Sequence, residues 1–181
     1  MGNPGAPILV RARAIAARGF SLIELLIVVA IILIIAAIAI PNMIRARISA
    51  NEASAATSVR TITRAETTYY SAYPTDGYAS TLSVLGGPPT SCTPVDTQAC
   101  LIDDNLATGQ KSGYQFQVTG LLPSGGVNTA FVVGAVPLSY NKSGMRDFCA
   151  TNDGVVRAQP GSSGDVPVTD IPPCAAFEPI Q

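Results

Sequence analysis

The 181-residue chain contains no histidine, and only 13% of it is charged, where an ordinary soluble domain carries about 25%. Aromatic residues are sparse as well, at 6%. There is no GxSxG, no glycine-rich phosphate loop and no CxxC. Without imidazole, the common zinc modules and the histidine-activated nucleophiles lose an essential part. The expectation is a non-enzyme with no metal and no cofactor. Charge argues against nucleic acid as a partner. Residues 73–181 set Lys111, Lys142, Arg146 and Arg157 against nine acids, whereas phosphate binding needs a concentrated basic surface.

What the chain has in excess is one aliphatic block. Every residue from Leu25 to Ile40 is Leu, Ile, Val or Ala. Counted from Phe20, the apolar run is about 21 residues or roughly 30 Å of helix, enough to cross a bilayer core. Residues 1–19 precede it with Arg11, Arg13 and Arg18 and no acid. An ordinary secretory signal orders its basic part, apolar part and cleavage site in that sequence. Here the basic part runs straight into Gly19-Phe20 and the apolar part follows; the small-residue stretch Ala53-Ser54-Ala55 lies far beyond its end. Pro41 closes the run. It has no N–H for the carbonyl of Ala37, so a kink or local loosening is expected there. Helical spacing then resumes, with Ile44, Ile48, Ala55, Val59, Ile62, Ala65, Tyr69 and Ala72 on one face that reads as core packing. The expected organisation is a leader (1–19), a membrane-spanning half-helix (20–41), an amphipathic half of the same helix (42–72) and a globular region (73–181).

Glu24 breaks the apolar pattern. An ionised carboxylate within hydrocarbon costs on the order of a few kcal/mol. Cleavage after Gly19 would give Phe20 a free α-amino group, cationic near neutral pH. Glu24 would then either pair with such an amine, its own or a neighbour's, or snorkel to the headgroups. Spacing alone leaves these two readings even.

Beyond residue 72 the character changes. Tyr73-Pro74-Thr75-Asp76-Gly77-Tyr78 ends the helix with a turn, and Gly86-Gly87-Pro88-Pro89 marks a loop. Tyr114–Val118, Phe131–Ala135, Arg146–Ala150 and Val155–Arg157 read as short strands, the last two flanking the turn sequence Thr151-Asn152-Asp153-Gly154. Three or four antiparallel strands are expected, with one face packed on the helix stripe. Cys92, Cys100, Cys149 and Cys174 imply two disulfides in an oxidising compartment. Of three connectivities, Cys92–Cys100 and Cys149–Cys174 are favoured because both close local loops. The tail from Gln159 is tied down only if Cys174 is bonded. Tyr69, Tyr70 and Tyr73 cluster where the helix meets the domain and read as packing, and Asn141-Lys142-Ser143 fits a glycosylation triplet that is common by chance.

Gly19-Phe20-Ser21-Leu22-Ile23-Glu24-Leu25-Leu26-Ile27-Val28-Val29-Ala30-Ile31-Ile32, continuing through Ala36-Ala37-Ile38-Ala39-Ile40-Pro41, resembles the type IV pilin and type II secretion pseudopilin superfamily, most closely the type IVa pilins. The resemblance implies cleavage after Gly19 by a prepilin peptidase, N-methylation at Phe20, and a Glu24 carboxylate that engages a neighbour's N-terminus. It implies an inner-membrane precursor whose helix, marked by a bend or melt at Pro41, later forms the core of a homopolymeric cell-surface pilus built by dedicated assembly machinery. The implied fold is α+β: a long helix on a small antiparallel sheet, with Cys149–Cys174 bounding a C-terminal loop. The alternative is a pseudopilin of a type II secretion system, a periplasmic piston. Major pseudopilins hold calcium near the C-terminus, but Asp165, Asp170 and Asp103-Asp104 here form no strong calcium loop.

Overall fold

The computed structural model describes residues 19–88 and 90–180. The chain divides between Ile40 and Pro41 into two units. Helix α1, Leu22–Ala72, supplies the apolar rod of the first unit and the packing helix of the second, and Pro41 lies inside it.

In the first unit no residue from Gly19 to Ile40 is buried. Exposed Leu, Ile and Val side chains cover the helix on all sides. A helix apolar all round normally belongs in a protein interior or a membrane. Its length and composition suffice to cross a bilayer.

The second unit is built on a six-stranded antiparallel meander in chain order. Its strands are β1 (Gln110–Lys111), β2 (Tyr114–Ser124), β3 (Val127–Pro137), β4 (Arg146–Thr151), β5 (Arg157–Pro160) and β6 (Glu178–Pro179). The sheet is larger than the three or four strands the sequence suggests, for identifiable reasons. β1 and β6 pair over only two residues each, too short for an alternating pattern. β2 and β3 extend well past their alternating cores because Gly125 and Gly126, both at positive φ, close a tight hairpin between them. The last strand starts at Arg157 rather than Val155. The Asp153 carboxylate accepts the Val155 amide and two Arg157 N–H groups, which holds residues 152–156 as a loop.

One face of the sheet packs on α1. Across four strands the register sets Phe116, Ala135, Phe148 and Ala158 side by side, and Val118, Val133 and Ala150 form the next row. Large and small residues alternate, so the row leaves room for Ala55, Val59, Ile62 and Ala65 of the helix, all in the same core. Ile44 and Ala72, at the two ends of the expected stripe, are exposed. The short helices α2 (Leu82–Leu85) and α3 (Asp104–Ala107) close this core with Leu82, Leu85 and Leu106.

The opposite face is covered too, by the C-terminal segment. Val132 and Cys149 of the sheet pack with Cys174 and Phe177, next to the short helix α4 (Ile171–Ala175). A Cβ on Gly134 would stand 2.6 Å from the Val168 backbone nitrogen. The glycine is what lets an irregular segment lie flat on a central strand. Cys149 and Cys174 are disulfide-bonded, which fastens this cover, and Cys92 is bonded to Cys100 in the loop before α3. Helix, sheet and disulfide-bounded C-terminal loop together fit the α+β pilin fold.

Candidate processing and assembly site

Phe20 is 71% exposed and stands two residues before α1 begins. The Leu25 amide already donates to the Ser21 carbonyl at 3.2 Å. Helical order therefore reaches almost to the position where a new N-terminus would lie after cleavage. Glu24 sits in the first turn, where unsatisfied amides place partial positive charge and favour a carboxylate. Its side chain is exposed, and the sixteen residues that follow it carry no charge at all. The ion pairs among the described residues are Lys111–Asp103, Arg146–Glu52 and Arg157–Asp153, and Glu24 enters none of them. The result is a lone acid at the tip of an apolar rod, with its next charged helix neighbour at Arg45.

This is the segment that matches known proteins. The family model for the prokaryotic N-terminal methylation motif covers residues 16–40. The N-terminal segment of the chain is similar to that of type IV pilins. The type IV major pilin protein of Myxococcus xanthus is 42% identical over 72 residues, which is 40% of this chain and 32% of that one. The type IV wide pilus major component of Thermus thermophilus is 64% identical over 36 residues, 20% of this chain and 28% of that one. The aligned region thus spans about a third of the length of the curated relatives it matches. No solved structure matches the chain. Gly19, Phe20, Glu24 and Pro41 lie within or directly beside the matched pilin segment.

The structure also brings out three acids that pattern reading passed over. Glu52 and Glu66 lie seven residues to either side of Val59, so they share its buried face. The spacing was a visible signal, hidden by the habit of placing charges outward. Glu52 Oε2 accepts from Arg146 Nε at 2.8 Å and Oε1 from the Met145 amide at 2.9 Å. The Arg146 guanidinium also lies over the Phe148 ring, 5.3 Å from its centroid. One turn of helix thereby grips the start of β4. Asn51 Nδ2 adds a bond to the Ser143 carbonyl at 2.9 Å, and Ser54 joins its hydroxyl to that of Ser112 at 2.9 Å.

Glu66 is fully buried. Its Oε2 accepts the Ala79 amide at 2.9 Å, while Oε1 has no partner among the described residues. Burial pushes its pKa up from 4.5 to about 8, against the opposing pull of the Ala79 bond. Asp147 behaves alike on the other face of the sheet. Burial, and then Asp165 beside it, raise its pKa to about 7. It lines a cavity of about 250 Å³ together with Asp165, Gln159 and Phe177.

Most of the remaining acids considered for calcium are otherwise engaged. Asp103 caps α3 through the Leu106 amide and accepts Lys111 Nζ at 2.8 Å. Asp165 accepts the Ser162 hydroxyl at 2.6 Å, and Asp170 lies at the start of α4. The tyrosines pack locally: Tyr69 against Tyr73 with centroids 5.0 Å apart, and Tyr70 stacked on Tyr78 at 4.7 Å. Tyr69 Oη donates to the Asp96 carbonyl.

Proposed function

We propose that this chain is a subunit of a type IV pilus, processed after Gly19, N-methylated at Phe20 and polymerised through residues 20–40. The observation that carries the reading is the exposed apolar helix with one carboxylate in its first turn. Such a surface is stable in water only when covered. A bilayer covers it first, and identical neighbours cover it afterwards. Transfer from lipid to a bundle of like helices leaves apolar burial nearly unchanged, so packing and electrostatics decide register. Glu24 supplies the electrostatic part. In a helix bundle its pairing with the α-amino group of a neighbouring Phe20 is strong because the local dielectric is low, and it is satisfied at only one axial offset. Pro41 marks the place where the helix yields as the subunit leaves the membrane. The partners implied are further copies of the chain, a prepilin peptidase, the assembly machinery and the inner membrane, with the finished filament at the cell surface.

The reading is tested in a host that makes such filaments. Full-length protein should yield a mature form beginning at methylated Phe20, and Gly19→Trp should leave the leader attached. A normal mature mass from Gly19→Trp would remove the cleavage assignment.

A further inference from the structure

Two pairs of charges in the second unit, opposite in sign and without ion-pair partners among the described residues, stand apart from one another. Among its described cations, Lys111, Arg146 and Arg157 have ion-pair partners within the chain. The arginines of α1 do not: Arg60 and Arg64 make no ion pair among the described residues, although they stand one turn apart on the same flank of the helix. Like charges at this spacing repel. The two guanidinium groups border a groove of about 550 Å³ whose other walls include Val155, Val156 and Ile180. Glu178 stands nearby on β6 but pairs with neither arginine, and Asp153 is taken up by Arg157.

Two acids without ion-pair partners among the described residues stand together elsewhere. Asp76 and Asp96 are both exposed, and both lie close enough to Tyr69 to raise its phenol pKa, after the larger effect of burial. They line a separate cavity with Tyr69, Tyr78 and Thr97, and this cavity shares no residue with the arginine groove. Val95, beside Asp96, is 45% exposed and offers the apolar flank that the groove's valines and isoleucine can receive. A cationic groove with apolar walls and an exposed anionic patch with an apolar neighbour thus sit at different places on one chain. Within a helical filament, complementary patches at different places on one chain suit a heterologous contact, repeated from copy to copy along the helix.

We propose that the Arg60–Arg64 groove of one subunit meets the exposed Asp76–Asp96 patch of a second copy of this chain. The proposal rests on the filament reading above and adds a second, globular contact to the helical one. A contact between globular surfaces would fix azimuth as well as rise. A complementary pair of this kind sets specificity more than affinity.

Charge reversal in the full-length protein tests it. Arg60→Glu with Arg64→Glu should lower filament yield at least about tenfold, and so should Asp76→Arg with Asp96→Arg. Combining all four reversals should restore yield to within about threefold of wild type. A conservative arm guards against misfolding. Arg64→Lys keeps the charge and introduces a primary amine at that position. Zero-length carbodiimide coupling of intact Arg64→Lys filaments should then join the new amine to Asp76 or Asp96 of another subunit, located by mass spectrometry. Absence of that cross-link in filaments of normal yield, or failure of the fourfold variant to recover while its membrane-held monomer accumulates normally, overturns the contact. A wild-type chain that forms no filaments at all would instead refute the function on which it rests.

Discussion

Replacing Glu66 by Gln should make this protein less sensitive to pH. Glu66 lies outside the membrane segment, on the face of α1 that meets the sheet, and none of its surface reaches water. The folded chain holds it protonated up to about pH 8, whereas the unfolded chain releases the proton near its ordinary value of 4.5. The unfolded state is therefore the one that gains from rising pH. Stability tied to this group is complete below about pH 4.5 and is lost progressively as pH climbs towards 8. Between pH 4 and pH 7 the loss amounts to roughly 3 kcal/mol, a third or more of a typical domain's stability. Gln keeps an oxygen for the Ala79 amide and has no proton to lose. Denaturant unfolding of the full chain in detergent, followed by tyrosine signals, should show the two proteins nearly equal at pH 4 and the variant more stable at pH 7. Asp147, which shifts in the same direction, and Asp153, held down to about 2 by Arg157, contribute to both proteins and cancel in the difference. A wild-type-minus-variant difference that stays flat with pH would show that Glu66 is ionised in the fold, and the burial argument would fail.

Other changes separate the units. Glu24→Val should insert in the membrane and be processed normally, yet give few or no filaments; wild-type filament numbers from it would end the register argument. Glu52→Ala should cost about 2 kcal/mol, read by the same denaturant titration, because the Met145 amide and Arg146 lose their acceptor in a largely buried place. Gly134→Val should loosen the C-terminal cover, so limited proteolysis should cut near Val168 in the variant and spare the parent. Reduction of Cys149–Cys174 should expose the same cleavage region, by freeing a 25-residue connection from the chain-entropy restraint the bond imposes.

The helix was legible because its signals are strong and local. An unbroken aliphatic run, a proline at its end and a stripe at helical spacing leave little choice over Leu22–Ala72. The central strands were legible from alternation in Tyr114–Val118 and from the β-branched run in Phe131–Ala135. The edges were not, since β1 and β6 owe their pairing to partners fixed elsewhere and have no pattern of their own. The far face of the sheet was hidden for a different reason. Its cover, 161–177, is rich in Pro, Gly and Ser and contributes few apolar residues, Phe177 and Val168 among them. A disulfide and one glycine do the work that a hydrophobic stripe does on the helix side. The buried Glu52 and Glu66 share the face of Val59 by their seven-residue spacing, but a charged side chain at such a position is ordinarily solvated, so the spacing alone does not reveal their burial.

The three glutamates of α1 show how far environment decides what one side chain does. Glu52 is buried with a cation and a backbone amide in reach, so it is satisfied within the chain and fastens helix to strand. Glu66 is buried with one donor and no cation, so the cheaper course is to keep its proton, and it fastens helix to loop as a neutral acid. Glu24 has neither choice. It is exposed, its helical neighbours are hydrocarbon, and the ion pairs among the described residues pass it by. An acid there would weaken a membrane-spanning segment, and no ion pair among the described residues uses it. On the proposed filament reading, the partner of Glu24 lies outside the monomer. On a rod of identical apolar side chains, which slide past one another at little cost, a single charge is also the smallest feature able to stop the sliding at one position.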